Sequence, residues 1–158
     1  MNRLRLARGA ASKSFVVCEV SNTYYVLPVE QVQEIIQPMP LTQLPHAPAG
    51  VIGAIEHRET VVPILDLGSR LGFGPTHALR RKWVLMRAQG RTLGLVVGQV
   101  HEVLEVTERS LRPAPDVGDV AARGASHVLN YRGAMAFLLD MHAVAKLAEM
   151  ALPLVEAQ

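Results

Sequence analysis

The chain alternates short apolar runs with turn residues, and no apolar stretch approaches the length of a long helix. Runs rich in Val, Ile, Leu and Tyr predict strands near 14–20, 23–28, 32–37, 50–56 and 60–65. A second set follows near 82–88, 91–98, 100–106, 121–130 and 133–139. Ser21-Asn22 and Gln89-Gly90 sit between consecutive runs and have the polar, flexible character of hairpin tips. Pro38, Pro40, Pro45 and Pro48 are expected to prevent regular pairing through 38–48, because each lacks a backbone donor. Pro113 and Pro115 are expected to do the same in a second loop. Only 66–72 and 140–150 read as helical. Asp66 and Asp140 stand where strand gives way to helix, so their carboxylates suit the N-cap. Residues 73–81, with Gly74 and Pro75, read as a linker.

The two sets of runs resemble each other. Residues 27–34 align without gaps on 95–102 with five of eight positions identical, including Gln31-Val32 with Gln99-Val100 and Glu34 with Glu102. Residues 58–66 then align on 132–140, from Arg58 with Arg132 to Asp66 with Asp140. A five-stranded unit this small buries little surface alone, so two copies imply two barrels packed together.

Composition agrees and narrows the function. Apolar residues make up 49% of 158 and charged residues 19%, enough burial to oppose chain entropy. Arg3, Arg5, Arg8 and Lys13 concentrate positive charge in a head without Asp or Glu, leaving 12 basic against 14 acidic side chains beyond it. The body therefore lacks the charge of a phosphate-binding face, and the aromatics are too few for a stacking platform. A nucleic-acid-binding small barrel is the alternative of another class, and these two counts stand against it. The lone Cys18 excludes an internal disulfide, and its apolar neighbours predict a buried thiol. Without a spanning segment or a secretory signal, the reading is cytoplasmic. His46, His57, His77, His101, His127 and His142 are dispersed without metal-ligand spacing. No nucleophile–base set or phosphate loop occurs. No catalytic residue, metal or cofactor is expected.

Particular residues then carry a resemblance. Val32, Glu34 and Ile35, a Pro-rich loop, Gly53 to Arg58, and Val61 to Leu67 follow in an order that resembles the CheW family of chemotaxis coupling proteins. Gly94-Leu95-Val96-Val97, Val100, Glu102 and the closing Phe137 to Asp140 continue it, so the likeness covers about 14–147. The resemblance implies an all-β fold of two SH3-like five-stranded barrels sharing a core, with a short C-terminal helix. The implied layout is a basic N-terminus at 1–13, barrel one at about 14–72, barrel two at about 82–139, a closing helix at about 140–150 and a tail at 151–158. It further implies a non-catalytic adaptor between the cytoplasmic tip of a methyl-accepting chemoreceptor and the regulatory domain of a CheA-type histidine kinase. By position, the family implicates Val32, Glu34, Gly53 and Arg58 in partner binding.

The chain departs from the family where Asn-x-Arg-Gly reads Glu56-His57-Arg58-Glu59. Glu56 and Glu59 are therefore candidates for altered specificity, through carboxylates beside Arg58. A divergent member acting on another signalling partner is the related alternative. Glu also disfavours the left-handed turn that Asn and Gly tolerate, by roughly 1 kcal/mol. The second repeat keeps Asn130-Tyr131-Arg132-Gly133, and His127 stands where a small residue is usual.

Overall fold

The computed structural model describes residues 11–114 and 124–156. Its strands are β1 (Ser12–Val20), β2 (Thr23–Pro28), β3 (Val32–Ile36), β4 (Val51–His57), β5 (Thr60–Asp66), β6 (Lys82–Ala88) and β7 (Arg91–Val97). They continue as β8 (Gln99–Thr107), β9 (Arg112–Pro113), β10 (Ala125–Tyr131) and β11 (Ala134–Leu139). Helix α1 covers Leu67–Arg70, and α2 covers Met141–Glu156. All ten expected strands are present within a few residues, although 121–123 of the ninth lie outside the described residues. Residues 12–13 join β1, and α2 continues past 150 into the stretch expected to be a tail.

The proline-rich loops carry two short pairings, of which the first corrects the expected role of Pro113 and the second leaves 38–48 without a regular strand. Arg112-Pro113 pairs with Val128 and His127 as a two-residue edge strand. Thr42, in the other proline-rich loop, makes an isolated bridge to Ala54. Pro113 occupies an edge, where a missing donor faces no ladder partner.

The strands form two sheets, ordered β8-β1-β2-β11-β10-β9 and β3-β6-β7-β5-β4. This corrects the division into 14–72 and 82–139. Each sheet combines the first hairpin of one repeat with the remaining strands of the other. The β1–β2 hairpin pairs with β8 and β11, while β6–β7 pairs with β3 and β5. The repeat marks which segments are alike, and pairing is decided by where burial is found. Segment 28–32 carries the chain out of the first sheet into the second, and Gly98 carries it back, its N–H bonded to the Glu19 carbonyl at 2.8 Å.

The exchange explains the near-continuous apolar runs. Phe15, Val17 and Val26 point inside the first sheet's barrel with Leu129, Tyr131 and Ala136. Trp83, Leu85 and Val96 do the same in the second with Ile55, Val62 and Ile64. Their strand neighbours Cys18, Tyr25, Leu27, Val84, Met86 and Leu95 face a third cluster shared by the two barrels. Because side chains alternate along a strand, a strand with both faces covered must be apolar at successive positions. Burial pushes the Cys18 thiol up to about 12, so it stays protonated and inert.

Both expected caps are present. Asp66 accepts hydrogen bonds from Gly68 N at 3.2 Å and Ser69 Oγ at 3.0 Å. Asp140 accepts from the backbone of His142 and Ala143 at 3.1 and 3.3 Å. Equivalent bonds tie Asp66 N to the Gly50 carbonyl and Asp140 N to that of Gly124, each at 2.7 Å. Helix α2 leaves the first sheet and packs across β4 to β7 of the second, which fastens the barrels together.

Candidate functional site: two carboxylate clasps and a barrel-end recess

In the second sheet, β3 and β4 are opposite edges. Glu34, on β3, reaches across to the β4–β5 turn. Its Oε1 accepts from His57 Nε2 at 2.9 Å and from Arg58 Nε at 3.2 Å. A second carboxylate oxygen lies 3.4 Å from an Arg58 terminal nitrogen. Arg58 Nε is also 3.3 Å from His57 Nε2, but that nitrogen cannot accept while its proton points at Glu34. The geometry therefore places the proton on Nε2 and both donors on one carboxylate. Hydrogen bonds from His57 and then Arg58 hold the Glu34 carboxyl below its ordinary 4.5. The clasp closes this barrel through side chains where the backbone ladder stops.

The first sheet repeats the device. Glu102, on edge strand β8, accepts from the Tyr131 hydroxyl and lies 3.0 Å from an Arg132 nitrogen. The Arg132 guanidinium sits over the Tyr131 ring, 5.3 Å from its centroid. Burial and the bond to Glu102 raise the Tyr131 pKa, so the phenol remains a donor. By repeat alignment, Glu102, Tyr131 and Arg132 occupy the places of Glu34, His57 and Arg58.

The structure thus brings together two of the expected site residues, Glu34 and Arg58, and makes Glu34 the carboxylate that the guanidinium meets. Arg58 remains three-quarters exposed beyond that contact. The other candidates have different positions. Val32 is half-buried and packs against the shared core. Gly53 is buried with φ +152°, and a Cβ there would lie 2.6 Å from the Thr42 carbonyl oxygen. It is required where the loop over 41–42 lies against β4. Glu56 is exposed on β4, outside the turn, whereas Glu59 is exposed within it at φ +66°. The carboxylate that Arg58 meets is Glu34's, so the expected pairing of Arg58 with its turn neighbours is replaced by a cross-barrel bond.

Sequence reasoning missed a recess of about 560 Å³ at the end of the first sheet's barrel. Phe15, Leu111 and Leu138 contribute apolar surface, while Lys13, Glu30, Glu108 and His127 contribute charged or titratable groups. These residues come from five elements far apart in sequence, and only the exchanged pairing assembles them. The one available signal was the unusual His127.

Two exchanged barrels, one of six strands and one of five, each clasped by Glu and Arg, with a capping helix and a shared core, define the class as a tandem-barrel β module. Known proteins place that class. Residues 14–149 match the CheW-like domain model. The chain is 31% identical over 134 residues to the chemotaxis protein CheW of Rhizobium meliloti, covering 84% of this chain and 86% of that one. It is 28% identical over 122 residues to protein FrzA of Myxococcus xanthus, covering 77% and 76% respectively. Among solved structures it is similar to the scaffolding protein TtCheW of Thermoanaerobacter tengcongensis. That likeness has a TM-score of 0.75 and 26% identity, over 81% of this chain and 88% of that one. The chain belongs to the CheW-like family of chemotaxis scaffold and coupling proteins.

Proposed function

We propose that this protein couples the cytoplasmic tip of a chemoreceptor to the regulatory domain of a CheA-type histidine kinase, in the cytoplasm and without turnover. The observation that supports this most is the Glu34–His57–Arg58 clasp, set within a chain that matches a scaffold family along nearly its whole length. The clasp fixes the β4–β5 turn and leaves Arg58 presented for a partner carboxylate, a use that suits a planar guanidinium. Val32 and Gly53 serve the same face indirectly, Val32 by seating β3 on the core and Gly53 by seating the 41–42 loop. Calorimetric titration with a receptor-tip fragment and a kinase regulatory domain is the test, and no heat of binding with either overturns the coupling role.

Glu56 and Glu59 tune partner choice in this reading. Because Glu34 meets Arg58, both carboxylates stay free to repel an acidic partner surface. Restoring Asn at 56 and Gly at 59 is expected to raise affinity for an ordinary receptor tip or kinase domain about tenfold, or about 1.4 kcal/mol. Unchanged affinity for both, with the fold intact, removes the two residues from the specificity argument.

A further inference from the structure

A second recess, of about 340 Å³, opens along the seam of the first sheet's barrel, between its two edge strands β8 and β9. Val106 of β8, Arg109 and Ser110 of the turn that follows, Arg112 of β9 and Asn130 of β10 line it. The Leu111 N–H closes that turn on the Glu108 carbonyl at 3.1 Å, and the Ser110 hydroxyl lies 3.1 Å from that of Thr107. Arg112 is paired with Val128. Side chains opposed across a ladder share a face, as do residues two apart along a strand. Asn130 is therefore a diagonal neighbour of Arg112 on one face, a spacing of about 7–8 Å that a long side chain spans.

The lining offers donors and no carboxylate. A guanidinium has no acceptor. The Asn130 Oδ1 already accepts the Gly133 N–H at 3.3 Å, which leaves the amide NH2 for the recess. Among the described residues neither Arg109 nor Arg112 forms an ion pair. The carboxylates nearest in sequence are engaged elsewhere. Glu102 accepts from Tyr131 and pairs with Arg132, Glu105 accepts from Ser12 Oγ at 3.4 Å, and Glu108 lines the barrel-end recess.

The other barrel shows that the fold does not require these residues. Thr42 bridges to Ala54 as Arg112 pairs with Val128, so Thr42 holds the place of Arg112 and Met39 that of Arg109. Glu56 holds the place of Asn130. One barrel therefore carries two cations and a neutral amide where its counterpart carries a carboxylate and no cation.

We propose that the recess between β8 and β9 is an anion-binding site that takes a phosphoryl group. Arg109 and Arg112 match its two negative charges and can each present a planar fork to its oxygens. The Asn130 amide and the Ser110 hydroxyl supply the remaining donors. The near-neutral body argues against a polyphosphate backbone, but a single phosphoryl group needs only two cations in one place. The site stands apart from the Glu34 clasp and does not depend on the coupling reading.

The experiment is a 31P chemical-shift titration of the full chain at low ionic strength and about pH 8, where a phosphate monoester carries two charges. The probes are inorganic phosphate and a neutral peptide with one phosphoserine, and the peptide's unphosphorylated twin is followed by calorimetry. Saturable binding is expected, weakened about tenfold by Arg109→Gln or Arg112→Gln and lost in the double variant. Asn130→Asp keeps the oxygen that Gly133 needs, so the turn survives while a carboxylate enters the recess, and binding should be lost. Arg91→Gln, on the other sheet, should bind as the unmutated chain does. Far-UV circular dichroism checks each fold. Tighter binding of the phosphopeptide than of inorganic phosphate assigns the site to a phosphorylated partner segment, and equal or weaker binding assigns it to a free phosphate. A response that does not saturate, that survives the double arginine variant, or that Arg91→Gln weakens equally overturns the site. Equal binding of the unphosphorylated twin overturns the phosphoryl assignment.

Discussion

The two barrels are closed by the same pair of charged residues and differ in the residue between them and in the turn. In the second sheet's barrel, His57 completes the clasp and the turn runs through Arg58 and Glu59 at φ +51° and +66°. In the first sheet's barrel, Tyr131 completes it and the turn runs through Arg132 and Gly133 at φ +52° and +79°. One site has a partly exposed imidazole and a strained non-glycine turn. The other has a buried phenol, an aromatic ring under its arginine and a glycine at the second turn position. Duplication has preserved the closure, and the two copies have parted in the donor beside the arginine and in the turn. Both arginines stay largely exposed, and the His57 site differs by its imidazole donor and by carrying Glu59 in a left-handed turn position.

The comparison is broken most severely through what the barrels share. Leu95 is fully buried in the common cluster, so Leu95→Ala is expected to cost about 2–5 kcal/mol. Leu129 lies inside the first sheet's barrel, whereas Trp83, the sole tryptophan, lies inside the second's. In Leu129→Ala, urea unfolding followed by Trp83 fluorescence should shift together with that followed by far-UV circular dichroism. Two separated transitions would show that the hairpin exchange does not make the barrels one cooperative unit.

The clasps themselves separate next. Tyr131→Phe removes a hydrogen bond to a carboxylate that is itself partly exposed, with an expected loss of about 1 kcal/mol in urea unfolding. The acid response should distinguish the barrels further. Glu34 has a lowered folded pKa, so its contribution is complete above the ordinary value of 4.5 and is lost as pH falls through the folded value. The stability difference between the unmutated chain and Glu34→Gln should therefore shrink on acidification below about pH 4.5 and stay constant from there to neutrality. A difference that is flat down to pH 3 would show that His57 and Arg58 do not hold the carboxylate ionised.

Much of this was legible in the sequence for definable reasons. Strands announced themselves by β-branched runs between turn residues, and both caps by an Asp at the end of a strand. The family pattern named Glu34 and Arg58 as separate candidates, and only the folded barrel shows that they meet each other. What remained hidden depends on pairing between distant segments. An internal repeat states that β1–β2 resembles β6–β7, but not that each hairpin seeks the other half's strands. The fully apolar run from Trp83 to Met86 was the clue, since a strand facing solvent on one side cannot be apolar at four successive positions. The recess was invisible for the same reason.

The smallest predicted effect sharpens the comparison of the turns. Glu59 occupies the second left-handed position, where its Cβ crowds the following backbone, and Gly133 occupies the matching position without that penalty. Glu59→Gly removes the strain but also gives the unfolded chain more freedom, so the net gain is expected to be only about 0.5–1 kcal/mol. The reciprocal Gly133→Glu should lose a similar amount, because a Cβ there meets open space and only the backbone conformation resists it. Thermal unfolding of the two single variants and the double exchange measures both. The turns lie in different barrels and share no contact, so the two effects should cancel to within about 0.5 kcal/mol in the double variant. If Glu59→Gly leaves the midpoint unchanged while Gly133→Glu lowers it, the first turn carries no strain and its glutamate is there at no cost to stability.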